Sequence, residues 1–262
     1  LERNQKKYQI QLKQQKDAEK REKYKLYGEL INVYGYNLEE GAKELIAPNF
    51  YDDNKEIKIP LDPTKTAREN SQKYFDRYGK LKRTAEALDT LLAETKAEID
   101  HLESIQNSLD IALSADDLVQ IKQELTEYGF IKKHRTGKKE KVKSKPFHYL
   151  SSDGYDMYVG KNNYQNDELT FKFATGNDWW FHAKGMPGSH VIVKNKGEEM
   201  PDRVYEEAAM LAGYYSKGRE SDKIEIDYLQ KKNVKKPAGS APGFVVYYTN
   251  FSMTIHPDIS AL

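Results

Sequence analysis

The sequence predicts an α+β protein: an antiparallel coiled-coil hairpin of α-helices with a small tip domain, followed by a mostly antiparallel sheet domain with one main helix. Three observations lead to this prediction. Apolar residues recur with coiled-coil spacing in the first half, an alternating pattern of period two begins at Phe147, and one clear helical segment interrupts that second pattern. The predicted divisions are a hairpin over 1–131 with its tip domain at about 28–63, a basic linker over 132–146, and the sheet domain over 147–262.

The first helix of the hairpin is predicted over 1–27, and the second begins at Thr64. Residues 1–27 carry only a weak apolar stripe, whereas positions 81 to 113 repeat at alternating intervals of four and three residues over more than four heptads. The insert between the helices favours pairing within one chain, and a parallel dimer of two chains is the alternative. The repeat consists of Leu81, Ala85, Leu88, Leu92, Thr95, Ile99, Leu102, Gln106, Leu109 and Leu113.

The tip domain is predicted to combine a helix with a short strand. The segment GELINVYGYNLEEGAKEL has helical character and is followed by Pro48. The alternation in IKIPLDP then indicates a short strand that ends at a turn.

The sheet domain is predicted from short alternating segments punctuated by turns such as Asn162-Asn163. Its helix is expected over about 202–217, because Pro201 and Asp202 suit a helix start and Gly218 suits a stop. The strands are expected at 147–151, 156–160, 169–174, 178–184, 190–195, 223–230, 243–250 and 252–256.

Positive charge is concentrated in two places, although the net charge is only +1. Residues 132–145 hold eight Lys or Arg against Glu140 alone, and a second group of four lysines occupies 231–236. We interpret the second group as the tip of a long hairpin arm suited to a phosphate backbone. The alternatives are a solvated connector for the first group and an edge hairpin kept soluble by its lysines for the second.

The stretch DWWFHAKGMPGSHVIV, residues 178–193, concentrates aromatic rings, imidazoles and a glycine-containing turn. Asp178, His182 and His190 form the only set that resembles an acid–base or metal centre, but no further ligands stand at a recognisable spacing. Nucleophile elbows and phosphate-binding glycine loops are also missing, so we expect neither an enzyme nor a cofactor. The rings suit base stacking on one face of a strand, or ordinary packing.

Longer segments of the chain closely resemble the NFACT-R domain of the NFACT family. They are DGYDMYVGKNNYQNDELTFKFATGNDWWFHAKGMPGSHVIV, YEEAAMLAGYYSK and VKKPAGSAPGFVVYY, and upstream IPLDPTKTARENSQKYFDRYGKLKR resembles the entry into the second coiled-coil helix. The resemblance implies the C-terminal part of a cytoplasmic factor of ribosome-associated quality control. Such factors bind the large ribosomal subunit and tRNA and support template-free C-terminal alanine tailing of stalled nascent chains. The ribosome itself makes the peptide bond.

The resemblance and the charge pattern together give a set of expected contacts. The RNA-binding residues are expected to be Lys184, Lys194, Lys231, Lys232, Lys235 and Lys236, with Trp179, His182, Ser189 and His190 as further candidates on the same surface. The residues expected to anchor the linker to rRNA are Lys132, Lys133, Arg135, Lys138 and Lys139.

Two further expectations concern what accompanies this function. The family's NFACT-N domain, with its tRNA-handling motif, is expected to be absent. Family members have also been described as surface adhesins that bind fibronectin or fibrinogen, so a cell-surface adhesin is the alternative function. No apolar run is long enough for membrane insertion, and the absence of Cys fits a reducing cytoplasm but also a disulfide-free surface protein.

Overall fold

The structure is a computed structural model that describes residues 1–133 and 141–262. They form two compact units, Leu1–Ile99 and Asp100–Leu262. The predicted α+β class is confirmed, because helices dominate the first unit and a six-stranded antiparallel sheet forms in the second. The divisions predicted at 131 and 147 stay predictions. None of the helices in the described residues has the length and apolar character needed to cross a membrane.

The first unit contains the predicted antiparallel helical hairpin. Helix α1 spans Glu2–Ala18, α2 spans Arg21–Tyr34, and α3 spans Ala67–Ile111. Asn4 Nδ2 donates to Glu98 Oε2 at 2.9 Å, and Ser71 Oγ donates to the Gly28 carbonyl at 3.0 Å. The two residues of a contacting pair are therefore separated by fewer residues of sequence near the tip than near the open end, as antiparallel pairing within one chain requires.

The tip differs from its prediction because α2 ends earlier and a second strand forms. After α2 the chain makes a short 3₁₀ turn, and strand β1 (Glu44–Asn49) then pairs antiparallel with β2 (Lys55–Pro60). The helical prediction through residue 45 was wrong. Leu45, at the end of the segment predicted as helix, instead points inward from β1, where it packs with Ala47 and with Leu30 of α2.

The heptad pattern of α3 holds only as far as Ile99. Ala85, Leu88, Leu92, Thr95 and Ile99 are buried as predicted. Beyond this point the buried positions change phase, so the last four positions of the predicted repeat were wrong. Gln106, Leu109 and Leu113 are exposed and Leu102 is intermediate, whereas the buried residues there are His101, Ile105, Asn107, Ser108 and Ile111.

The change of phase follows from a change of packing partner. From Asp100 onward α3 belongs to the second unit, where helix α4 (Ala115–Glu127) packs beside it. His101 Nε2 lies 2.7 Å from the buried Glu124 Oε1, and Asn107 Nδ2 donates to the Tyr215 carbonyl at 3.3 Å. Ile111 joins the core of the sheet domain. A helix that packs against different neighbours need not keep one buried stripe.

The sheet of the second unit has six antiparallel strands in the order β3-β4-β6-β5-β7-β8. Helix α6 (Asp202–Tyr214) covers one face, and its Val204, Ala208 and Leu211 pack into the main core with Phe181 and Val191. The strand bounds are β3 Phe147–Leu150, β4 Asp156–Val159, β5 Trp179–Ala183, β6 Val191–Val193, β7 Ile224–Gln230 and β8 Phe251–Ile255.

Two predicted strands on the other face of the sheet were wrong. Residues 169–174 lie mainly in a π-helical turn, Leu169–Phe173, which continues helix α5 (Asn163–Glu168). Asn162, predicted as part of a turn, instead caps α5 by accepting from the Gln165 amide at 3.0 Å. Residues 243–250 form only an isolated bridge between Lys235 and Val246.

These segments build a second apolar cluster on the face opposite α6. Leu169 and Val234 pack there on Trp180, Ile192 and Leu229 of the sheet. Both faces of the sheet are therefore covered, which the alternating pattern did not reveal.

Candidate nucleic-acid interface

Five lysines lie on and beside the segments that cover this second cluster, and we call them the lysine surface. β7 leads directly into a 3₁₀ turn, Lys231–Asn233, whose Lys231 amide donates to the Asp178 carbonyl at 2.8 Å. The ammonium groups of Lys231 and Lys236 lie 5.7 and 5.9 Å from the centre of the Phe171 ring. The members of the lysine surface are Lys172, Lys231, Lys232, Lys235 and Lys236.

The backbone that carries these lysines is anchored and does not protrude as an arm. Val234 is 3% exposed, the Lys232 amide donates to the Gly176 carbonyl at 3.1 Å, and Lys235 exchanges two backbone hydrogen bonds with Val246. The prediction of a long hairpin arm was therefore wrong. Burying Val234 in the second cluster holds the chain against the domain, which presents the lysines from a fixed support.

Four of the five ammonium groups carry uncompensated charge. Lys236 pairs with Asp167 at 2.7 Å and also donates to the Ala241 carbonyl at 3.0 Å. Within residues 1–133 and 141–262, no carboxylate forms an ion pair with Lys172, Lys231, Lys232 or Lys235. Unpaired ammonium groups on one anchored surface suit phosphate contacts, which gain from counterion release.

Lys184 and Lys194 have carboxylate partners already. Lys184 Nζ lies 2.6 Å from Glu225 Oε1, and this hydrogen bond raises the pKa of Lys184. Lys194 donates to the buried Asp178 and stands 4.8 Å from the centre of the Phe173 ring. A phosphate would have to compete with these carboxylates, so both lysines are weaker candidates than the four unpaired ones.

Asp178 organises the loops at the start of β5. Despite burial, which raises it, the pKa of Asp178 is lowered by the hydrogen bonds from Lys194, Asn195 and Thr175. The Asn195 amide donates at 2.9 Å and the Thr175 amide at 2.7 Å. The carboxylate is therefore fully engaged in structural hydrogen bonds.

The two tryptophans do not lie on the lysine surface. Trp180 is completely buried in the second cluster, and Trp179 points to the opposite face, where its ring centre is 4.9 Å from that of Tyr205. The structure instead exposes Tyr248 by 88% and Phe173 by 41%. Neither ring could be predicted to be exposed, because FVVYY and LTFKF alternate as strands do, and only the fold shows that they form separate covering segments.

Ser189 and His190 are buried structural residues. Ser189 Oγ donates to the Gly160 carbonyl at 2.6 Å, while the His190 ring lies 2.8 Å from Thr170 Oγ1 and 3.1 Å from the Gly243 carbonyl. Their exposed fractions are 1% and 2%, so neither reaches a surface ligand. Among the residues that the structure describes, no group of three or more His, Asp or Glu is placed to hold a metal ion.

His182 and His190 are held as neutral imidazoles. Burial lowers the pKa of His182 to about 4, and burial and the neighbouring His182 hold the pKa of His190 well below its usual value. The ring centres lie 5.5 Å apart. At neutral pH neither ring offers the positive charge that would attract a phosphate.

These two histidines predict that the second unit loses stability as the pH falls. The unfolded chain takes up their protons near pH 6.5, whereas folded His182 does so only near pH 4. Between these values the unfolded state binds more protons, so stability decreases as the pH falls through this window. For His182 we expect a cost of about 2 kcal/mol between pH 7 and pH 5, and His190 acts in the same direction.

Urea unfolding followed by tryptophan emission measures this loss, because both tryptophans belong to the second unit. His182→Gln should flatten the pH dependence of stability, because the titrating imidazole is then missing from both the folded and the unfolded state. Equal unfolding midpoints at pH 7 and pH 5 would contradict the assignment of neutral imidazoles.

The linker lysines are only partly described. Lys132 and Lys133 are exposed, whereas Arg135, Lys138 and Lys139 lie outside the described residues. Anchoring of the linker to rRNA therefore stays a prediction.

Comparison with known proteins places both halves of the chain in one family. A model of the NFACT N-terminal and middle domains matches residues 1–144, and a model of the NFACT protein RNA binding domain matches residues 145–248. The expectation that the N-terminal domain is absent was therefore wrong.

Individual relatives agree with the family models. The Rqc2 homolog RqcH of Streptococcus pneumoniae serotype 2 (strain D39 / NCTC 7466) is 39% identical over 98% of this chain and 46% of its own length. The Rqc2 homolog RqcH of Bacillus subtilis (strain 168) is 36% identical over 92% of this chain and 42% of its own length. The chain thus spans less than half the length of these relatives.

A solved structure shares the fold. The C-terminal part of the fibronectin/fibrinogen-binding protein from Streptococcus suis is 35% identical, with a TM-score of 0.76, over 98% of this chain and 89% of that chain.

Proposed function

The chain belongs to the NFACT family, and on that premise we propose that it acts in ribosome-associated quality control as an RNA-binding part of a factor that engages the large ribosomal subunit and tRNA. The observation that carries the proposal is the lysine surface, because it lies within the segment that matches the RNA-binding domain. The relatives that are named Rqc2 homologs support a role in this process.

The lysine surface would position a nucleic acid and would not react with it. Lys172, Lys231, Lys232 and Lys235 would each contact a phosphate, and such contacts hold a nucleic acid in place without reading its bases. Tyr248 stands next to Tyr247, whose hydroxyl donates to the buried Asp227 at 2.8 Å, so the exposed ring is carried by an anchored segment. It is suited to stack on an unpaired base.

In this proposal the protein is not an enzyme. It holds tRNA on the large subunit so that the ribosome extends a stalled nascent chain at its C-terminus without a template. The work would take place in the cytoplasm, where ribosomes are found. Exposed Lys132 and Lys133 would add contacts to rRNA.

Co-sedimentation with large ribosomal subunits that carry stalled peptidyl-tRNA tests the proposal. We expect the protein to pellet with these subunits and a variant with Ala at Lys172, Lys231, Lys232 and Lys235 to remain largely in the supernatant. The matched control replaces four exposed lysines of the described residues that form no ion pair there, namely Lys6, Lys13, Lys82 and Lys223. Equal pelleting of both variants would contradict a role for the lysine surface.

A second candidate, binding of fibronectin or fibrinogen at the cell surface, is favoured by the name of the solved relative. Saturable binding to immobilised fibronectin that survives nuclease treatment and moderate salt would support it. Loss of binding under either condition would indicate bridging by RNA or non-specific attraction to lysines.

A further inference from the structure

A groove of about 660 Å³ lies beside α6 on the face of the sheet opposite the lysine surface. Its walls come from β5, α6, β7 and β8, so four elements of the second unit build it. The RNA-binding proposal makes no use of this groove.

Four aromatic rings form a packed cluster at one end of the groove, which we call the aromatic box, and its diagonal pair, Trp179 and Tyr228, has ring centres 5.9 Å apart. The Trp179 ring lies nearly perpendicular to Tyr205 with the centres 4.9 Å apart, and the centres of Tyr205 and Tyr228 are 5.7 Å apart. Phe251 closes the arrangement at 5.6 Å from Tyr228 and 6.4 Å from Trp179. Phe251 remains 60% exposed, so the box is open to solvent.

The fold explains why these rings gather on the surface. Tyr228 stands opposite both Phe181 and Phe251 in the strand register, which places Tyr228 and Phe251 side by side on the face that α6 covers. α6 begins only at Asp202, and its first turn therefore leaves the rings at this end incompletely covered. Open aromatic faces are the result.

Three carboxylates line the same groove: Glu199, Asp202 and Glu206. All three are exposed, and none of them forms an ion pair within the described part of the chain. The carboxylates act on the nearby phenols. The pKa of Tyr205 is raised by burial first and then by Tyr228, Glu199 and Asp202. The pKa of Tyr228 is raised by burial and by Asp202.

The groove is therefore aromatic and negative. None of the described residues that line the groove is Lys or Arg. The single histidine among them, His256, donates from Nδ1 to the Asp222 carbonyl at 2.8 Å. Ring faces attract cations through their quadrupole, and carboxylates at the rim add direct attraction. A phosphate backbone would instead meet three unpaired negative charges.

We propose that this groove binds a basic segment of a partner protein, with an arginine side chain stacked on the open faces of the aromatic box. A planar guanidinium stacks on aromatic faces and donates to carboxylates at the same time, which suits both features of the site. The domain then carries two docking faces of opposite sign: the lysine surface for RNA and the acidic aromatic groove for a basic protein segment. The second face is independent of the first.

Tryptophan emission tests the groove directly, because Trp180 is fully buried and Trp179 lines the site. The probe is a short peptide with three arginines separated by glycines, titrated into the whole chain. The matched peptide has citrulline in place of each arginine, which keeps the shape and removes the charge. We expect a saturable change with the arginine peptide and an affinity at least about tenfold lower with the citrulline peptide.

Two variants locate the binding. Phe251→Ala opens the box, and the double change Glu199→Gln with Glu206→Gln removes two rim charges at exposed positions without changing side-chain size. Each should weaken the arginine peptide at least about fivefold. The control, Glu168→Gln with Glu220→Gln, removes two exposed charges outside the groove and should leave the affinity unchanged.

Several results would overturn the proposal: no saturable change, equal binding of both peptides, or equal affinity in the glutamine variant and its control. A loss of tRNA affinity in the groove variants that the control variant does not share would assign the groove to RNA instead. tRNA affinity measured on the same groove variants should be unaltered, so failure here and failure of the RNA-binding function remain distinguishable.

Discussion

Alanine in place of Lys172, Lys231, Lys232 and Lys235 is expected to lower the affinity of this chain for tRNA by about a hundredfold to a thousandfold near 0.1 M salt. Each lost phosphate contact makes the slope of log affinity against log salt shallower by about 0.9. The loss of four contacts should therefore make the slope shallower by about three to four units. The four ammonium groups have no carboxylate partner in the described part of the chain, and their full charge is therefore available.

Titrations of labelled tRNA at several salt concentrations measure both quantities. The control variant with Ala at Lys6, Lys13, Lys82 and Lys223 carries the same change in net charge and should keep the wild-type slope within about one unit. Lys236→Ala alone should have a smaller effect than Lys232→Ala, because Asp167 already pairs with Lys236 at 2.7 Å. If the two four-lysine variants behaved alike, net charge and not this surface would govern binding.

Asp178→Ala is expected to have the largest effect on stability, with a loss of about 3–5 kcal/mol in the free energy of unfolding. The buried carboxylate accepts from the Lys194 ammonium, from the hydroxyl and amide of Thr175, and from the Asn195 amide. Its removal leaves these donors without an acceptor at the start of β5. Urea unfolding followed by tryptophan emission measures the loss.

Two further variants separate charge from hydrogen bonding at this site. Asp178→Asn keeps one acceptor oxygen and should cost less than Asp178→Ala. Asp222→Ala, at a carboxylate whose side chain is 90% exposed, should change stability by less than about 0.5 kcal/mol. A cost for Asp178→Ala no greater than that for Asp222→Ala would show that the Asp178 network contributes little to the fold.

Local patterns predicted most of the sheet, because short apolar segments are punctuated there by turn residues, and they predicted α6 from its start at Pro201 and Asp202 and its stop at Gly218. β3, β4, β5, β6, β7 and β8 all lie within or overlap predicted strands. The strand prediction for residues 169–174 was wrong because LTFKF alternates as a strand would. The Asn162 cap begins a helix that continues into this segment. In such a short segment the capping residue outweighs the alternation.

The heptad repeat of α3 shows a different limit. Its spacing predicted the buried stripe up to Ile99, where the helix faces one set of neighbours. It failed at Gln106 and Leu109, because the end of α3 packs against α4 and the sheet domain. A repeat read from sequence assumes one continuous partner, and here the partner changes.

The clustered lysines of the candidate site are visible in the sequence, whereas its exposed aromatic rings are not. The lysines at 231–236 are presented together, as their clustering in sequence indicated. The alternation in β5 gave no sign that the segments with Leu169 and Val234 bury Trp180. Tyr248 and the box around Trp179 depend on contacts between distant segments, which no local pattern contains.

Acetylation of lysines in the presence and absence of tRNA, read by mass spectrometry, tests the central claim most directly. At saturating tRNA we predict that Lys172, Lys231, Lys232 and Lys235 are protected, whereas Lys6, Lys13, Lys82 and Lys223 react at their rates in the free protein. Full reactivity of the lysine surface at saturating tRNA, or equal protection of both sets, would contradict RNA binding through this surface.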